Sequence, residues 1–160
     1  MAHLLISRRT ACVLALLAGL VAPASAAACI ALTAHPDGTP LAEIAAADSM
    51  FAVTYVHSVT RTPVTERYRV DGDTIVQTEI RFAQHGPGLP TQPDAGGTFE
   101  QRDGQLTMTL DRRFPAIVMR VNHAQSPRFA ADTRTFDLAA WGDRAIVVRA
   151  KLGPCATRIH

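Results

Sequence analysis

Polar and apolar residues alternate most clearly from Phe51 to Val70, where Phe51, Val53, Tyr55 and His57 share one side and Ala52, Thr54 and Val56 the other. A period of two is the mark of a strand with one buried face. The pattern pauses at Thr60-Arg61-Thr62-Pro63 and resumes at Val64, which predicts a hairpin. A symmetric turn between Arg61 and Thr62 sets Val53 opposite Val70, Tyr55 opposite Tyr68 and His57 opposite Glu66. These residues then share a face with Phe51 and Val64, and an apolar column ends in a His–Glu pair beside the turn. A second hairpin at Asp71-Gly72-Asp73 is expected to bring Val76, Thr78, Ile80 and Phe82 onto the same face.

The rest of the chain repeats the theme. Cys29–Thr33 reads as a short strand, followed by the turn-rich His35-Pro36-Asp37-Gly38-Thr39-Pro40. Leu41–Ala47 suits either a strand or a helical turn. Ser49–Ser58, Val64–Val70 and Thr74–Phe82 form a meander. His85–Gly97 is dense in proline and glycine, which excludes a regular element and marks a long loop of the kind that carries function. Thr98–Gln101 and Gln105–Leu110 form a hairpin around Asp103-Gly104, with Leu106, Met108 and Leu110 pointing inward. Ile117, Met119 and Val121 alternate in the next strand, and Asn122–Asp132 reads as irregular. Thr133–Leu138 and Arg144–Leu152 are expected to pair around Trp141-Gly142-Asp143, with Trp141 a core or turn-packing residue. Short strands at close intervals, with no internal repeat and no long helix, predict a single all-β domain: a small antiparallel sandwich or partly open barrel.

The first residues carry a different signal. Arg8-Arg9, the apolar run from Ala11 to Val21 and the small residues Ala24-Ser25-Ala26 match a secretory signal peptide over residues 1–26, with the domain spanning 27–160. A twin-arginine signal and a lipoprotein box at Ala26-Ala27-Ala28-Cys29 are weaker fits. The expected location is periplasmic or secreted. Without Arg8 and Arg9 the formal charge of +2 falls to near neutrality. Arg and Asp/Glu are interspersed, so no basic patch points to nucleic acid or anionic lipid, and no second apolar segment is long enough to span a membrane.

Cys12 leaves with the signal, so the mature chain keeps Cys29 and Cys155. In an exported chain this favours a disulfide joining its two ends, and the absence of Cys-x-x-Cys spacing weighs against a redox or metal pair. The chain-entropy stabilisation for so long a loop is about 4–5 kcal/mol.

An exported signal, an early Cys, Tyr55-x-His57-Ser58-Val59, Pro63-x-x-Glu66-x-Tyr68, Gly86-x-Gly88-Leu89-Pro90 and a late Cys follow one another in order. In this the chain resembles the bacterial domain-of-unknown-function family eighteen-fifty. The resemblance implies a small exported protein of the kind often encoded beside TRAP-type (TAXI) transporters, and hence a transporter component as a partner. It implies no activity.

Candidate chemistry centres on His57 and Glu66. Facing each other, they would form a charge-assisted hydrogen bond, either as a base with its orienting carboxylate or as a structural pair closing the core. Ser58 points to the opposite face from His57, and no Gly-x-Ser-x-Gly elbow is present, so a serine hydrolase is rejected. His57, Glu66 and His85, with His123 or His160, are suitable zinc ligands by type but lack ligand spacing. Pro87 and Pro90 forbid a helix starting at Gly86-x-Gly88, so it makes a bend and not a nucleotide loop. No cofactor motif is present.

The expected binding surface comprises Tyr55, His57, Ser58, Arg61, Glu66, Tyr68, His85, Gly86 and Gly88. Its leading use is that of an exported accessory or interaction protein without turnover. The alternatives are binding of a small acidic solute, with His57 and Arg61 as cationic anchors, and an enzyme using the His–Glu pair.

Overall fold

The computed structural model describes residues 27–155. The expected signal peptide, residues 1–26, lies outside the described residues, as does His160. Eleven strands run in order: β1 (Ala28–His35), β2 (Pro40–Ala46), β3 (Met50–Val56), β4 (Pro63–Asp71), β5 (Thr74–Phe82), β6 (Phe99–Arg102), β7 (Gln105–Phe114), β8 (Ile117–Val121), β9 (Arg128–Ala131), β10 (Arg134–Asp137) and β11 (Arg144–Leu152). They form a four-stranded sheet, β2-β1-β11-β8, and a seven-stranded sheet, β10-β9-β3-β4-β5-β7-β6. All the pairings are antiparallel. The fold is a two-sheet sandwich without a closed barrel, as the alternating pattern predicts.

The two sheets meet over a core built from alternate residues of each. Ile30, Leu32, Ile146 and Val148 come from the smaller sheet, and Phe51, Val53, Tyr68 and Phe129 from the larger. Phe51 stacks between Tyr68 and Phe129, with ring centroids 4.9 and 5.0 Å apart. Burying each such side chain stabilises the fold by about 1.5–3 kcal/mol.

Four strands do not cover seven. Beyond β4 the inner face of the larger sheet carries a second cluster, in which Val64, Ile80, Phe82, Leu106 and Met108 pack with Leu89. Leu89 belongs to the Pro/Gly-rich loop, so that loop takes the place of missing strands. It is fastened at both ends. Near its start the Pro87 carbonyl meets the His57 ring. Further along, the Asp94 carboxylate accepts from Nε and Nη2 of Arg112.

Cys29 and Cys155 form the expected disulfide, with their Cα atoms 4.9 Å apart across a sequence separation of 126. It ties β1, a central strand of the smaller sheet, to the chain beyond β11.

Four expectations need correction, and one alternative is resolved. The β3–β4 register places Val53 opposite Glu66, Tyr55 opposite Val64 and Phe51 opposite Tyr68, so His57 does not face Glu66. The turn is wider than a tight hairpin: His57 donates its amide to the Thr62 carbonyl, Arg61 donates to the His57 carbonyl, and Arg61 adopts φ 57°. The register differs by an even number of residues, so the face assignments survive.

Within β5, a bulge near Thr78 reverses the alternation. Ile80 and Phe82 stay on the inner face, Ile75 and Gln77 join it opposite Val70 and Tyr68, and Val76 pairs with Arg69 on the other face. Of Leu41–Ala47, ambiguous from sequence, all but Ala47 belongs to strand β2. Asn122–Asp132 is not wholly irregular, because it contains β9, paired with β3. β10 and β11 do not form a hairpin: β10 pairs with β9 in one sheet and β11 with β1 and β8 in the other. A short 3₁₀ turn, Leu138–Trp141, carries the chain between the sheets, and Trp141 packs partly buried against the main core.

Candidate functional site

Glu66 lies on the inner face of β4, between Val53 of β3 and Ile80 of β5. Residues two apart on a strand share a face, so Tyr68 stands beside it, and Tyr55 stands diagonally across on β3. The Tyr55 hydroxyl donates to Glu66 Oε1 at 2.9 Å, and the Tyr68 hydroxyl donates to Oε2. Burial of both phenols, reinforced by the neighbouring negative charge, pushes their ionisation well above the ordinary value of 10.0. Both therefore remain donors at neutral pH. Tyr55 packs against both hydrophobic clusters, so the carboxylate sits at the seam of the core.

A cavity of about 370 Å³ opens at this seam. One wall is Val53, Tyr55, Glu66 and Tyr68 of the larger sheet; the other is β8 from Ile117 to Val121, with Gln125 and Pro127 below it. β8 is an edge strand, bonded only to β11. Its outward residues Val118 and Arg120 are exposed, and Ile117, Met119 and Val121 turn inward.

His57 is built into a different device. It is 6% exposed, and the amides of Val59 and Thr60 both donate to Nδ1, at 3.2 Å. With Nδ1 an acceptor, the proton is on Nε2, which donates to the Pro87 carbonyl at 3.1 Å. Each ring nitrogen is thus held by backbone of a loop. Gly86 closes on the ring so tightly that a Cβ there would fall 2.7 Å from His57 Cε1. His57 latches the β3–β4 turn to the Pro/Gly-rich loop.

The expected site therefore divides. Tyr55, Glu66 and Tyr68 meet at the cavity, and His57 meets Gly86 at the latch. Ser58, Arg61 and Gly88 are exposed and do not line the cavity. His85 is exposed, its ring edge-on to Phe82 with centroids 5.1 Å apart. The acidic-solute reading loses both anchors, because His57 is satisfied by backbone and Arg61 lies outside the cavity. The residues considered for zinc are also dispersed: Glu66 is with the tyrosines, His57 with Pro87, and His123 with Asp143 at 2.9 Å. Among the described residues, the one grouping with metal-ligand geometry is Cys29, Glu43 and Cys155, whose sulfurs are already joined to each other.

Arg120, Gln125 and Pro127 were not foreseen as site residues. Their signal was faint, because β8 approaches β4 only through the packing of the two sheets.

Fold and cleft together define a two-sheet antiparallel sandwich with one carboxylate-bearing crevice between its layers. The family described as "Domain of unknown function (DUF1850)" matches residues 51–138 of this chain. The chain belongs to that family. The match takes in the larger sheet apart from Met50 at the start of β3, together with β8, the cavity and the His57–Gly86 latch. No curated protein and no solved structure matches the chain significantly.

Proposed function

We propose that this protein is an exported accessory protein that binds without turnover, with the Tyr55–Glu66–Tyr68 cleft as its working surface and a TRAP-type solute transporter as its partner. The observation that carries the reading is the cleft itself: it is open, bordered by an edge strand, and contains a carboxylate on an otherwise largely apolar wall. Small-molecule sites are commonly mostly apolar hollows with a few convergent polar groups. An enzyme with His57 as base is less well supported, since both ring nitrogens already bond to backbone. The Cys29–Cys155 disulfide is compatible with an oxidising, extracytoplasmic setting. No helix among the described residues is long and apolar enough to cross a membrane.

The transporter link rests on the family's usual gene context. Calorimetric titration of the oxidised mature protein with the solute-binding subunit of a TRAP-type transporter tests it. A saturable complex weakened by Val118→Asp, at the 61%-exposed edge of the cleft, is the expected result. Absence of a complex at micromolar concentrations removes the transporter from the reading and leaves the cleft.

A further inference from the structure

Glu66 is the one carboxylate that lines the cavity, and it has no cationic partner within ion-pair distance among the described residues. The contrast with acids elsewhere is direct. Glu79 meets Arg67 and Arg81, Asp94 meets Arg112, and Asp137 meets Arg128. Each of those acids has a guanidinium beside it. Glu66 is partly buried at the seam of the core, its two oxygens each holding one phenol hydroxyl. Phenols supply hydrogen bonds but no compensating charge, and a carboxylate oxygen has more than one acceptor position. An interior negative charge without a counter-ion is a costly arrangement that a cation relieves.

We propose that the cleft binds a small organic cation, a protonated amine, with the Glu66 carboxylate as its counter-ion. The proposal rests on the cleft being the working surface and adds the chemical class of its ligand. A cavity of about 370 Å³ suits a small molecule. Val53, Ile117, Met119 and Pro127 offer aliphatic contact to a short carbon chain, and the tyrosines place electron-rich rings near its charged end. Arg120 is exposed at the rim and beyond salt-bridge distance of Glu66, where solvent screens its charge.

The test is a thermal-shift and tyrosine difference-spectrum titration of the mature protein with butylamine, putrescine and, as an anionic counterpart, butyrate. Butylamine or putrescine is expected to raise the melting temperature in a concentration-dependent way and to perturb the tyrosine band, while butyrate does neither. Glu66→Gln keeps the volume and removes the charge, and is expected to weaken amine binding roughly tenfold or more. Should that variant fail to fold, the wild-type tyrosine spectrum alone decides, because both tyrosines of the chain touch Glu66. Butyrate shifting both readouts while amines do not overturns the cation and keeps the cleft as a site. Silence from all three probes at millimolar concentrations overturns the proposal. Neither result bears on the transporter complex, which is measured separately.

Discussion

The imidazole of His57 occupies the space that a side chain on Gly86 would need: a Cβ there would lie 2.7 Å from the ring's Cε1. The glycine is required by proximity, and the ring in turn holds the Pro87 carbonyl beside it. Gly86→Ala is therefore expected to destabilise the fold by about 1–3 kcal/mol, the usual cost of overpacking. His57→Ala removes the acceptor of two amides and the donor to Pro87, for about 1–3 kcal/mol where such groups stay buried. The double variant has room for the new methyl, so the two losses are expected not to add. Denaturant melts of the four proteins in the cycle measure the coupling, and strict additivity counts against the latch.

The tyrosines give a pH prediction. Both folded-state values are raised above the ordinary 10.0, by burial first and by the Glu66 charge second. The unfolded chain ionises its phenols near pH 10 while the folded chain does not. Their contribution is thus fully present below pH 10 and is lost as the pH rises beyond it, at up to about 1.4 kcal/mol per pH unit for each tyrosine. Phenolate absorbance should appear late and together with loss of near-ultraviolet circular dichroism. A smooth titration near pH 10 in folded protein contradicts the burial of the pair.

Removing one donor tests the carboxylate's surroundings. Tyr68→Phe leaves Glu66 Oε2 without its phenol and is expected to cost about 1.5–3 kcal/mol, the range for hydrogen bonds to charged groups. Tyr68→Phe combined with Glu66→Leu removes the orphaned charge as well, and should recover part of that loss in urea denaturation.

Cys29 and Cys155 close a loop across a sequence separation of 126. Chain entropy then assigns about 4–5 kcal/mol to the bond. Reduction, or Cys29→Ser with Cys155→Ser, should lower the melting temperature markedly while leaving the far-ultraviolet strand signal at low temperature. An unchanged melting temperature denies the bond a stabilising role.

Much of this architecture is legible in the sequence, and the exceptions have physical causes. Alternation marked β3, β4, β5, β7 and β8 because each has one face in the core. Which residues face each other depends on turn length, and nothing local to Thr60-Arg61-Thr62-Pro63 declares that Arg61 takes a positive φ. Hence the alternation alone pairs His57 with Glu66, whereas Glu66 faces Val53 and His57 lies just beyond the end of β3. β9 escaped because Arg128–Ala131 is too short for a period to show, and its partner β3 is remote in sequence. The two tyrosines and Glu66 could be placed on one side of the sheet. Their meeting with β8 could not, because it arises from the stacking of layers.

The unequal widths of those layers account for more than stability. Seven strands lie beneath four, and a loop anchored by Leu89 extends the cover over β5 and β7. The narrower sheet leaves a gap beside its edge strand β8, and Glu66 stands beneath it. The crevice is a by-product of mismatched tiling: one further strand beside β8 would seal it and leave the carboxylate with no route to solvent.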